Sequence, residues 1–138
     1  MGIRLDFKKL PKEIREQINC QQNVRALDGK GWHTFSGIKY YFRSAWEVRY
    51  AHHLQTLIKF EVIKSWVYEP KTFWFESIKS GCRSYKPDFY IENFDGSHYW
   101  VEVKGYMDQK SQTKIKRFRK YYPDENLRIV DAPWFSGH

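Results

Sequence analysis

The chain has two cysteines, Cys20 and Cys82, among its 138 residues. They are isolated from each other and from any paired ligand spacing, which excludes a zinc cluster. In a reducing compartment both are expected to be buried or inert thiols rather than a disulfide. No apolar run is long enough to cross a bilayer, which excludes a helical membrane channel or carrier. The opening Met1-Gly2-Ile3-Arg4-Leu5-Asp6 lacks the apolar core and small-residue cleavage site of a secretory signal, so a soluble cytoplasmic protein with no membrane partner is expected. Repeats and low-complexity segments are also missing. Acid is the scarcer charge, with 16 Asp plus Glu against 24 Lys plus Arg and a net charge of +8. That excess favours encounter with a polyanion through phosphate neutralisation and counterion release, and nucleic acid is the natural candidate.

Aromatic and β-branched residues gather in two stretches, Tyr85-Lys86-Pro87-Asp88-Phe89-Tyr90-Ile91-Glu92 and Ser97-His98-Tyr99-Trp100-Val101-Glu102-Val103-Lys104. Asn93-Phe94-Asp95-Gly96 divides them, and the pattern predicts a β-hairpin. Register decides its chemistry, because a slip of one residue reverses every side chain. With Asp95-Gly96 as a two-residue type I′ turn, Phe94 pairs with Ser97 and Asp88 points away from Glu102. With Phe94-Asp95-Gly96 as a three-residue loop closed by a left-handed Gly96, Asn93 pairs with Ser97 and Asp88 faces Glu102. The second register is preferred. It sets Phe89, Ile91, Tyr99 and Val101 on an apolar face and leaves the charged groups on the other.

Asp88 and Glu102 then offer the hard oxygen ligands that Mg²⁺ prefers, with Mn²⁺ expected to substitute. A site of so few protein ligands keeps positions open for water and a phosphate oxygen, which is the arrangement of a catalytic ion. Lys104, two residues beyond Glu102, points to the same face and could stabilise charge on a phosphodiester under attack. The competing reading is a solvated Asp, Glu and Lys on an exposed sheet.

Elsewhere, Leu10 to Ile18 reads as a short amphipathic helix leading into the glycine-punctuated Asp28-Gly29-Lys30-Gly31, so residues 1–31 form an arm and residues 32–138 one α/β domain. Trp32 to Phe35 and Ile38 to Phe42 flank Ser36-Gly37 as a small hairpin. A helix follows from Ser44 to about Phe60, with Trp46, Tyr50, His53 or Leu54, Leu57 and Ile58 towards the core. Strands are expected at Ile63 to Glu69 and Thr72 to Glu76, a basic helix at Met107 to Tyr122, and a last strand at Leu127 to Val130. On the basic helix Lys110, Lys114 and Arg117 could grip backbone phosphates, with Ser111 near its start as a further phosphate donor. An ordinary solvated face is the alternative. Trp66, Tyr68, Phe73, Trp74 and Phe75 are expected to serve mostly in core packing rather than base stacking.

Pro87-Asp88 followed by Glu102-Val103-Lys104, with Glu47 on an upstream helix, resembles the PD-(D/E)XK nuclease superfamily over roughly Trp32 to Val130. Within it the chain looks most like small phage-encoded endonucleases, including junction-resolving types, through Trp66-Val67-Tyr68-Glu69-Pro70 ahead of the Pro-Asp hairpin. The resemblance implies a restriction-endonuclease-like core with a mixed central β-sheet flanked by helices. It implies a Mg²⁺-dependent DNA endonuclease that uses Glu47, Asp88, Glu102 and Lys104, with the Val103 carbonyl as a further metal ligand and 5′-phosphate products. Glu47 has a rival task, because Ser44-x-x-Glu47 is also a capping box, and Glu69 is a substitute carboxylate. His52 stays outside the site as a structural residue. Selectivity for branched, flap or junction DNA is expected, and a homodimer would cut both strands. The rival function is a non-catalytic DNA-binding or phage assembly protein.

Overall fold

The computed structural model describes residues 11–13 and 29–137. Most of the expected N-terminal helix and arm, with Cys20, lies outside them. The elements are β1 (Gly31–Phe35), β2 (Ile38–Phe42), α1 (Ala45–Lys59), β3 (Ser65–Tyr68), β4 (Phe73–Trp74), β5 (Ser84–Tyr85), β6 (Phe89–Glu92), β7 (His98–Val103), α2 (Gln109–Tyr121), β8 (Leu127–Val130) and α3 (Ala132–Gly137). They make a mixed α/β protein. No helix among the described residues is long and apolar enough to span a membrane. Contacts divide the chain into two compact units. The first runs through Ser65 and adds Glu92–Ser97 and Gly137, and the second holds Trp66–Ile91 and His98–Ser136.

In the first unit, β1 and β2 pair antiparallel from Gly31–Phe42 to Phe35–Ile38. Ser36 and Gly37 both take positive φ, 50° and 81°, as a two-residue type I′ turn requires. Alternation buries Phe35 and Phe42, which meet edge to face, and Phe35 also packs against His52 of α1. Gln55 of α1 donates to the Ser36 hydroxyl at the turn, 2.6 Å away. Ser44 caps α1 with extended backbone and accepts the Glu47 N–H. Val48, Ala51, Leu54 and Leu57 line the helix's buried side. His52 thus packs on the ribbon through its ring.

The second unit is built on a four-stranded sheet of order β3-β6-β7-β8. Glu69 N–H donates to the Asp88 carbonyl and Lys64 N–H to the Glu92 carbonyl, so β3 runs antiparallel to β6. β8 pairs parallel with β7, from Trp100–Leu127 to Val103–Val130, and α2 makes the crossover that a parallel pair needs. The sheet is therefore mixed.

Two expected strands change. Thr72 to Glu76 shrinks to β4 and leaves the central sheet, pairing with β5 through Phe73–Tyr85 and Trp74–Ser84. Tyr85 to Glu92 is not one strand. It breaks between β5 and β6 at Pro87, which has no N–H for a ladder and is fully buried at the break. One helix was missed. α3 begins after Asp131, whose carboxylate accepts the Trp134 N–H, and Asp-x-Pro at 131–133 was a readable start signal.

The apolar face of the hairpin is as expected, with Phe89, Ile91, Tyr99 and Val101 buried. The opposite face is apolar too along much of its length. Trp100 joins Phe73, Phe75, Tyr85, Ile115, Phe118 and Leu127 in one core cluster, with Tyr90 packed against it. β7 is consequently buried on both faces, and its charged end carries the site. Among the aromatics weighed for stacking, Trp66, Phe73 and Phe75 are core, whereas Trp74 is exposed.

Candidate metal centre

The loop between β6 and β7 settles the register. Asn93 N–H donates to the Ser97 carbonyl and Gly96 N–H to the Asn93 carbonyl, with Gly96 at φ 86°. Phe94-Asp95-Gly96 is the three-residue loop, and glycine carries the left-handed position without a Cβ penalty. Asp95 Oδ1 accepts both the N–H and the hydroxyl of Ser97, and these bonds hold its carboxyl below the ordinary range. Counting back from Asn93–Ser97 sets Asp88 level with Glu102.

Asp88 precedes β6 directly after the Pro87 break. Its Oδ2 accepts the Val103 N–H at 2.8 Å, and its carbonyl takes the Glu69 N–H. Asp88 is 8 % exposed and Glu102 7 %. Tyr85 donates its hydroxyl to Glu102 Oε2 at 2.7 Å. Burial, then the Glu102 charge and hydrogen bond, then the Asp88 charge push the Tyr85 phenol well above its ordinary value. Tyr85 therefore stays protonated and keeps Glu102 oriented. Sequence reading missed it, because β5 lies in a different sheet from β7 and reaches Glu102 only through tertiary packing.

Glu69 brings a carboxylate oxygen within 4.8 Å of one from Asp88. Its backbone sits at φ 48°, which L side chains rarely adopt, immediately ahead of Pro70. Lys86 Nζ lies 3.9 Å from Glu69 Oε2. The substitute carboxylate considered from sequence is thus beside Asp88. Within the second unit Glu69 and buried Asp88 thus bring two carboxylates together, and setting like charges side by side is costly unless a cation compensates. Their donor set is all hard oxygen, which fits Mg²⁺ or Mn²⁺.

Lys104 continues the β7–β8 ladder through its N–H to the Val130 carbonyl, so alternation gives it the face of Glu102. It also acts on the start of α2. The Asp108 carboxylate, N-cap of that helix, is held below its ordinary value by hydrogen bonds from the Ser111 N–H and hydroxyl, with Lys104 and Lys110 adding to the effect. Ser111, the expected phosphate donor of this helix start, is thus also a partner of the Asp108 cap. The Arg117 guanidinium donates through one nitrogen to the Cys82 carbonyl at 2.8 Å. Lys110 is exposed and Lys114 half-buried. Cys82 is a free thiol whose S–H points to the Lys110 carbonyl.

Glu47 belongs to the first unit. It is buried, and its Oε1 accepts the Ser44 hydroxyl at 2.9 Å while its N–H donates to Ser44 Oγ at 3.1 Å. The N-cap half of the Ser44-x-x-Glu47 box is present, and the carboxylate takes the Ser44 hydroxyl where the box would have it take the Ser44 N–H.

The chain belongs to the family described as "Protein of unknown function (DUF1064)", which matches residues 34–137. No curated protein and no solved structure matches it.

Proposed function

We propose that this protein is a Mg²⁺-dependent DNA endonuclease with a restriction-endonuclease-like core. The observation that carries the reading is the Glu69–Asp88 carboxylate pair, with buried Glu102 level with Asp88 in the hairpin register and Lys104 on the Glu102 face. Three antiparallel strands followed by a helical crossover into a parallel strand are consistent with such a core. Asp88, Glu102 and the Val103 carbonyl would hold the ion, with Glu69 or Glu47 as the further carboxylate. When bound, the ion supplies polarisation of the scissile phosphate and a more acidic water.

The protein's own groups do the rest. Tyr85 fixes the Glu102 rotamer, and the Val103 N–H fixes that of Asp88. Lys104 neutralises charge developing on the phosphate oxygens. Lys110 and Lys114 hold flanking phosphates by charge. Preference for branched, flap or junction DNA follows from a basic chain with no recognised sequence-reading motif, and cutting both strands would call for a homodimer.

A second reading draws on the same bonds. Tyr85 and the Val103 N–H already donate to the two buried carboxylates, as a non-catalytic DNA-binding or phage assembly protein would need. One assay separates the two. Supercoiled, linear and four-way-junction DNA are incubated with Mg²⁺, with EDTA, and with Asp88→Ala or Lys104→Ala protein. Metal-dependent cleavage lost in both variants supports the nuclease. Cleavage persisting in both overturns the site, and retention of DNA without turnover favours the second reading.

A further inference from the structure

The β1–β2 ribbon carries a face that the proposed nuclease chemistry leaves unused. Alternation sends Phe35 and Phe42 inward and leaves Trp32, Thr34, Lys39 and Tyr41 on the other side, all exposed. Trp32 is 62 % exposed and Tyr41 48 %, and they are paired across the strands with ring centroids 5.3 Å apart. The Lys39 ammonium stands 4.9 Å from the centre of the Trp32 ring. Single exposed aromatics are ordinary, but a cross-strand pair with a cation on it is a built surface.

Charge identifies what would cover it. Residues 29–43 contain Lys30, Lys39 and Arg43 and no Asp or Glu, so the occupant must be anionic. It must also present flat apolar faces to two rings. Unpaired nucleotides satisfy both demands, because each base offers a π-face and each link a phosphate. Duplex DNA does not, since its base faces are stacked on one another. We propose that Trp32 and Tyr41 form a stacking platform for single-stranded DNA, with Lys39 on the adjoining phosphate. The proposal rests on the nucleic-acid substrate class inferred above and gives the preference for DNA with unpaired segments a physical source.

The ribbon is suited to this task. Its type I′ turn and the Gln55–Ser36 bond tie the strands to α1, so the rings are presented on a fixed support rather than a loose loop. Because Trp32 and Tyr41 lie outside the core, their replacement leaves the fold intact.

Fluorescence anisotropy of a labelled oligothymidylate, in EDTA to separate binding from cleavage, tests the platform. Trp32→Ala and Tyr41→Ala are each expected to weaken binding by roughly 10-fold or more, the effect of losing one stacked base. Trp32→Phe keeps a π-face and most of the affinity. Lys39→Gln lowers the slope of log affinity against log salt by about one. Affinity for a blunt duplex, metal-dependent cleavage of duplex DNA and thermal stability stay at wild-type values in all four variants. Wild-type protein that fails to bind the oligonucleotide, alanine variants that bind like wild type, or an equal loss on duplex would each overturn the platform. Oligonucleotide binding that depends on Trp32, in a protein that cleaves nothing, would instead retain the platform and remove the nuclease.

Discussion

The Tyr85 hydroxyl and Glu102 Oε2 are joined by a buried 2.7 Å hydrogen bond, although the two residues belong to different sheets. Phenylalanine at position 85 would leave the ring's packing on Phe118 and remove the donor from a buried carboxylate. Tyr85→Phe is expected to lower stability by about 1.5–3 kcal/mol, the range for a hydrogen bond to a charged group. Urea unfolding measures it. In the nuclease reading the same variant lowers kcat more than it raises KM, since a positioning residue contacts no substrate.

The same bond has an alkaline signature. The unfolded chain ionises Tyr85 near its ordinary value of 10.0, while the folded chain holds the proton to higher pH. Its contribution to stability is therefore whole below that value and declines as pH rises above it. Buried Tyr99 shifts in the same direction and slopes both proteins alike, so the difference between wild type and Tyr85→Phe isolates Tyr85. That difference is expected to shrink steadily above pH 10.0; a constant difference would contradict the shift.

An ion bound among these acids stabilises the fold by mass action. Mg²⁺ at roughly 100 times its Kd should raise unfolding free energy by about 2.7 kcal/mol, and EDTA should reverse the rise. Asp88→Asn is expected to abolish the Mg²⁺-dependent shift in Tm seen by calorimetry. A shift of equal size in that variant would place the ion elsewhere.

Glu47 has two tasks that mutations can separate. Ser44→Ala removes the cap of α1 and is expected to cost about 1 kcal/mol. Glu47→Gln keeps a group able to accept from the Ser44 hydroxyl but loses the charge a metal requires. If Glu47 serves the ion, the glutamine variant stays near wild-type stability and cleaves at least roughly 10-fold more slowly, the lower end of what even an outer-shell partner costs. Wild-type cleavage in Glu47→Gln would assign the residue to capping and leave Glu69 as the further carboxylate.

The cations of α2 divide into two kinds. Lys110→Ala and Lys114→Ala should each reduce the salt slope of DNA binding by about one while leaving Tm unchanged. Arg117→Ala should instead destabilise the fold by roughly 1 kcal/mol or more, through the lost bond to the Cys82 carbonyl. Filter binding across a salt series and thermal unfolding distinguish the two outcomes.

Much of the candidate site was legible because its signals are local. Gly96 could close either of two loops, and alternation of Phe89, Ile91, Tyr99 and Val101 selected the one with Asn93 against Ser97. Helix α1 announced itself through Ser44 and its apolar spacing. Glu69 was visible as an acid ending a strand, but its left-handed backbone and its approach to Asp88 were not. The Asp108 cap, three residues ahead of Ser111 and bonded to its N–H, is an equally local signal that was not anticipated. The Pro87 break was also overlooked, although proline's missing N–H was there to be read.

Sequence by itself determined the β6–β7 register and hence that Asp88 and Glu102 lie level, since side-chain direction in a paired strand follows from backbone geometry and the loop that closes it. Tertiary structure alone decided what surrounds that pair. Helix α2 and the β4–β5 ribbon cover the even-numbered face around Trp100, which buries β7 on both sides and delivers Tyr85 to Glu102. No periodicity within a segment records which distant segment will cover it. That choice belongs to long-range packing of apolar surface, and here it decides which carboxylates are held, and by which donors.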